Sequence, residues 1–142
     1  LGLDVKNHIL FAMCADPFVC VVVDAEDGKV ITTLPIGKGT DSGGFNPATM
    51  EAFSSQRDGT LTIIKEKSPT EFEVSQTVAT KQGCKTCSLD TKNNVIVTIC
   101  TERLPQAAGA APTPAPTNAP AGQRRGGQRG GPGNLDVLFV GK

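Results

Sequence analysis

The sequence predicts an all-β chain, and three features carry that expectation. Apolar residues come in short runs rich in β-branched side chains, such as Ile9-Leu10-Phe11-Ala12-Met13-Cys14, Val19 to Val23 and Val95-Ile96-Val97-Thr98-Ile99-Cys100. These runs are too short for helices, and no stretch carries a helical period of useful length. Turn dipeptides separate them: Asp16-Pro17, Asp27-Gly28, Asn46-Pro47, Asp58-Gly59 and Asn93-Asn94. The runs are apolar at successive positions and do not alternate, which predicts strands covered on both faces.

Taken in order, the elements repeat. Leu3-Asp4 followed by Leu10-Phe11 returns as Phe45-Asn46 followed by Ala52-Phe53, 42 residues on, and as Leu89-Asp90 followed by Ile96-Val97 after a further 44. Each unit continues into another apolar strand: Cys20 to Val23, Leu61 to Ile64, then Val137 to Val140. The first two units close with one more, Lys29 to Ile36 and Phe72 to Val78. Units of about 40–45 residues with four short strands are the signature of β-propeller blades, each sandwiched between its neighbours. The expected blades cover about 1–38, 39–80 and 81–142, and the last stops after its third strand, lacking the outer one. Asp4, Asn46 and Asp90 recur at one blade position, which predicts a repeated structural turn.

The third blade is interrupted. Residues 103–134 hold seven Gly, six Pro and seven Ala among 32 positions, with four Arg and no acid. Such a stretch buries too little apolar surface to offset its ordering entropy, so an irregular Pro/Ala/Gly/Arg-rich insert is expected. Of the 14 basic and 14 acidic groups in the chain, 10 basic and all 14 acidic lie outside it, so a basic insert at +4 accompanies a body at −4.

Composition removes several functions. A net charge of zero gives no whole-protein field toward nucleic acid or membrane. The longest apolar run is far short of the roughly 20 residues of a membrane helix. Without Trp or Tyr, the usual platforms for stacking sugars and bases are missing. With a single histidine, His8, a Ser-His-Asp triad or a multi-histidine metal centre is nearly excluded, and its place in the turn between the first two strands predicts simple exposure. The chain opens on Leu1, not Met, so the true N-terminus is expected to be missing or processed.

Gly2-Leu3-Asp4, Leu10-Phe11, Val21-Val22-Val23-Asp24-Ala25 with Gly28-Lys29-Val30, and closing Leu34-Pro35-Ile36-Gly37 resemble the YVTN-type β-propeller repeat. That family is similar in blade shape to lactonase-like and quinoprotein-like propellers. The closing Val137-Leu138-Phe139-Val140-Gly141-Lys142 resembles the C-terminal end of such proteins. The resemblance covers the chain apart from the insert. It implies an exported protein, periplasmic or extracellular, with the Pro-rich segment as a solvated rim loop. A ring needs four to eight blades. The chain is therefore expected to take its remaining blades from other copies or from a longer chain, since lone blades expose two apolar faces and an unpaired edge.

Three sets of residues are candidates for chemistry, all expected near one rim. Cys14 and Cys20 flank the Asp16-Pro17 turn, Cys100 matches Cys14 two blades on, and Cys84 and Cys87 have C-x-x-C spacing with Lys85 between them. Buried small hydrophobes, a disulfide such as Cys14 with Cys20, and a reactive thiol or bound metal all remain open readings. The carboxylates Asp16, Asp41, Asp58 and Glu102 form the second set. Lactonase-like propellers hold a divalent metal with rim carboxylates and amides, so the resemblance implies one here, whereas turn and cap roles suit Asp16-Pro17 and Asp58-Gly59 equally. Arg124, Arg125 and Arg129 form the third, a contact for an anionic partner. Arg-Gly-Gly segments that bind RNA are longer and carry aromatics, which argues against nucleic acid.

Two functions follow. The first is a non-enzymatic binding scaffold that meets a protein or small-molecule partner at its loop rim. The second is part of a metal-dependent hydrolase of the lactonase type, with Asp41 and other rim carboxylates as ligands. Fold does not choose between them, because propellers host unrelated activities.

Overall fold

The computed structural model describes residues 1–103 and 133–141, which are built of strands and turns without a helix. The first sheet is β1 (Gly2–Asp4), β2 (Ile9–Ala15), β3 (Phe18–Asp24) and β4 (Val30–Pro35), in that spatial order. The second is β5 (Thr40–Asn46), β6 (Glu51–Gln56), β7 (Thr60–Ser68) and β8 (Glu71–Ala79), also in order. The third holds β9 (Cys84–Asp90), β10 (Val95–Arg103) and β11 (Gly133–Val140), with β11 at its edge. All pairings are antiparallel. No fourth strand lies beside β11 among the described residues.

The first hairpin of each sheet has one geometry. Loops 5–8, 47–50 and 91–94 close on left-handed residues: His8 at φ 56°, Met50 at 52° and Asn94 at 56°. Each opens on an acceptor side chain two residues before a backbone N–H. Lys6 N–H donates to Asp4 Oδ1 at 2.9 Å, Ala48 N–H to Asn46 Oδ1 at 3.0 Å and Lys92 N–H to Asp90 Oδ1 at 3.0 Å. Short Asx side chains make such turns because they reach a nearby amide. The repeated structural turn expected at these three positions is present.

The sheets stack in chain order. β5 packs against β1 and β2, β9 against β5 and β6, and β4 touches β8. Between the first two sheets lie Ile9, Phe11, Cys20 and Val22 on one side and Ala52 and Ile64 on the other. Phe11 stacks on Phe45 at 5.4 Å and meets Phe72 edge-on at 5.8 Å. Between the second and third lie Phe53, Leu61 and Ile63 against Cys87 and Ile96. The inner strands come very close: a Cβ on Gly2 would stand 2.7 Å from the Gly44 carbonyl oxygen, so β1 needs glycine where it crosses β5.

Among the described residues only the middle sheet is covered on both faces. The outward face of the first sheet carries the cross-strand row Leu3, Leu10, Val23 and Val30, with Leu3 48% and Val30 61% exposed. On the third sheet Val137 is 48% and Phe139 70% exposed. Among the described residues no neighbouring sheet stands at the two ends of the stack, and the apolar faces there are exposed, as expected where no further blade lies beside them.

Candidate functional site

One end of the stack gathers the turn at 16–17, the connections 36–39 and 80–83, the turn at 57–59, the end of β10 and the start of β11. Asp41, near the start of β5, ties the turn at 57–59 to β9. Its Oδ1 accepts from Arg57 Nη2 at 2.7 Å, and its Oδ2 accepts from Thr86 N–H at 3.0 Å. Arg57 beside it, and the Thr86 amide next, hold its carboxyl below the usual aspartate value. Asp58 is equally engaged. Its Oδ2 accepts from Lys38 N–H at 2.6 Å, and its Oδ1 accepts from the Thr60 hydroxyl at 2.6 Å and the Thr60 amide at 3.1 Å. Partial burial opposes its ionisation, yet these bonds hold its pKa below the ordinary value.

The Thr86 amide that Asp41 anchors belongs to a β-bulge. β9 and β10 pair in register from Asp90↔Val95 to Cys87↔Thr98, then slip so that Ile99 faces Lys85 and Cys100 faces Cys84. Thr86 is the extra residue, left-handed at φ 46°, and the Thr98 hydroxyl donates to the Lys85 and Thr86 carbonyls at 3.2 Å each. The slip places Cys84 directly opposite Cys100, and the two form a disulfide with Cα atoms 3.9 Å apart. It staples β9 to β10 at the end where residue 104 follows. Of the open cysteine readings, a disulfide is realised, but not between Cys14 and Cys20. Those two point to opposite faces: Cys20 pairs with Met13 toward the second sheet, and Cys14 pairs with Val19 on the outward face.

Cys14, Cys20 and Cys87 are free thiols. Burial, with Cys14 nearby as a smaller cause, pushes the Cys20 thiol up to about 12, so it behaves as an inert core residue. Cys87 is buried between the second and third sheets, and the C-x-x-C spacing brings only one free thiol with it.

The described residues do not fit the divalent metal that the resemblance implies. Both oxygens of Asp41 and of Asp58 already hold loops together, and Asp16 stands exposed at its turn. Among the described residues no three His, Cys, Asp or Glu side chains converge on one point. Glu102 lies in β10 opposite Asn134, but its side chain, like Arg124, Arg125 and Arg129, lies outside the described residues. His8 stands at the opposite end, its Nδ1 2.7 Å from Glu26 Oε1, and both are exposed.

Two features escaped the sequence reading. The carboxyls of Asp4 and Glu66 meet between the first and second sheets, both 2% exposed. Asn7 Nδ2 donates to Glu66 Oε1 at 2.7 Å, while Asp4 Oδ2 and Glu66 Oε2 have no donor. Desolvation first, and the neighbouring Asp4 next, push Glu66 up. Period-2 spacing puts Glu66 on the face of Thr62 and Ile64, so its burial was readable in principle. The second is a cavity of about 260 Å³ between the second and third sheets, lined by Asn46, Glu51, Ile63, Gln76, Asn94 and Ile96, among others. At the first interface, Phe72 and Val74 of the second sheet's fourth strand pack into the core; the third sheet has no such strand among the described residues.

In comparisons with known proteins, no family model matches the chain, and no curated protein matches it either. Among the described residues no helix is long and apolar enough to cross a membrane.

Proposed function

We propose that the three sheets are consecutive blades of a β-propeller of the YVTN type and that the protein is a non-catalytic binding scaffold. It presents a protein or small-molecule partner with the end of the stack from which 104–132 emerges. The stacking in chain order and the common hairpin geometry support the blades. The observation that carries the scaffold reading is the engagement of Asp41 and Asp58, whose four carboxylate oxygens pin loops instead of facing an open site. An end stapled by these bonds and by Cys84–Cys100 is a rigid platform, and preorganisation lowers the cost of binding. Arg124, Arg125 and Arg129 supply it with cationic groups for an anionic partner. Export to an oxidising compartment is part of the proposal, and the disulfide supports it.

The test is metal content together with turnover. The purified chain is dialysed against manganese, calcium or zinc, analysed for retained metal, and assayed on ester and lactone substrates. The scaffold reading expects no stoichiometric metal and no turnover above the uncatalysed rate. A retained metal whose removal abolishes hydrolysis would instead establish the lactonase-type hydrolase.

A further inference from the structure

Position by position, the two outward faces reproduce the two faces that are buried. Phe11, Val22 and Cys20 of the first sheet face the second, and at the same register positions Phe53, Ile63 and Leu61 face the third. The counterparts in the third sheet are Val97, Phe139 and Val137. Phe11 and Val22 are 0% exposed and Ile63 is 6%, whereas Phe139 is 70% exposed. The other side matches. Ala52 and Ile64 face the first sheet, and Ile96 and Val140 face the second. Their counterparts are Leu10 and Val23, which share the outward row of the first sheet with Leu3 and Val30. The stack thus begins on the face that a preceding sheet covers and ends on the face that a following sheet covers. These are two halves of one kind of interface, used twice inside the chain.

We propose that the outward face of the third sheet docks onto the outward face of the first sheet in a second copy of this chain. The occupant is a second copy because its first sheet carries, in the required register, the row that meets Phe53 and Ile63-type positions inside the chain. That row and its neighbours Ala12, Val21, Cys14 and Val19 hold no charged side chain, so the face costs little to dehydrate. The contact is head-to-tail, and two of them about a two-fold axis close six sheets into a ring, within the four to eight that propellers use. The inference rests on reading the sheets as blades, and it is independent of what the loop end binds.

Sedimentation equilibrium on three forms of the chain tests it: wild type, Leu3→Asp and Phe139→Asp. Both substituted residues are exposed, so each variant is expected to keep the wild-type β circular dichroism. The wild type is expected at twice 14.7 kDa. Each variant alone is expected as a monomer, since every contact needs both faces. An equal mixture of the two variants is expected to regain a 1:1 dimer through the one pair of faces left intact, which indiscriminate sticking of apolar surface does not produce. A monomeric wild type, an undefined series of larger masses, or variants that fail to complement each other overturns the proposal. Metal content and turnover measured on the same samples report separately on the scaffold reading.

Discussion

Replacing Asp41 with alanine removes one carboxylate from two contacts and exposes how the loop end is held. The Arg57 partner is 60% exposed and returns to water easily, so losing that pair costs only about 0.5 kcal/mol. The Thr86 amide loses a charged acceptor at a bulge that fixes the β9–β10 register, worth about 1.5 kcal/mol. The total is about 2 kcal/mol, which at a urea slope of about 2 kcal/mol per molar lowers the midpoint by about 1 M. Asp41→Asn keeps an acceptor for Thr86 and is expected to lose about half as much. The sign with pH is fixed by the depressed folded pKa. The carboxylate contributes fully above its unfolded value of 3.8 and loses that contribution as pH falls through the folded one. The gap between wild type and Asp41→Asn therefore narrows on acidification below 3.8. Urea denaturation at neutral pH and at pH 3 measures both effects. A midpoint unchanged in Asp41→Ala, or a gap that widens in acid, would refute the reasoning.

Further outcomes are expected from the same structure. Glu66 has a raised folded pKa, so its effect on stability runs the other way: stability declines as pH rises from 4.5 through the folded value, and Glu66→Gln flattens that decline in denaturation midpoints taken from pH 4 to 8. Removing the disulfide with Cys84→Ala and Cys100→Ala together costs about 3 kcal/mol for a closed loop of this length, read as a lower denaturation midpoint. Alkylation of the monomeric Phe139→Asp chain at pH 8, mapped by peptide mass, labels half-buried Cys14 before Cys20 and Cys87. Fast labelling of Cys20 would contradict a thiol held at about 12.

The strands were legible because apolar runs and Asx turns are local signals. Leu10-Phe11, Val22 and Ile63-Ile64 could be placed from period and turn chemistry alone, as could the repeated turn at Asp4, Asn46 and Asp90. The disulfide was not legible. Counting outward from the Asp90↔Val95 pair, Cys100 falls opposite Lys85, and only the extra residue at Thr86 slips it onto Cys84. No local signal marks threonine for a left-handed bulge. Asp41 lies at the loop end, and its partners Arg57 and Thr86 stand 16 and 45 residues away; pairing at that range is a product of sheet stacking. A sequence reading sees an unpaired carboxylate and considers a metal; the fold supplies the guanidinium and the amide.

A native mass spectrum of the chain, sprayed from a manganese- and calcium-containing buffer after brief desalting, is the most direct test of the account. The account predicts a complex at twice 14.7 kDa with no added metal mass, which is six blades closed by self-association around a scaffold with occupied carboxylates. A single-chain mass would contradict the closed ring, and a retained divalent increment would contradict the scaffold.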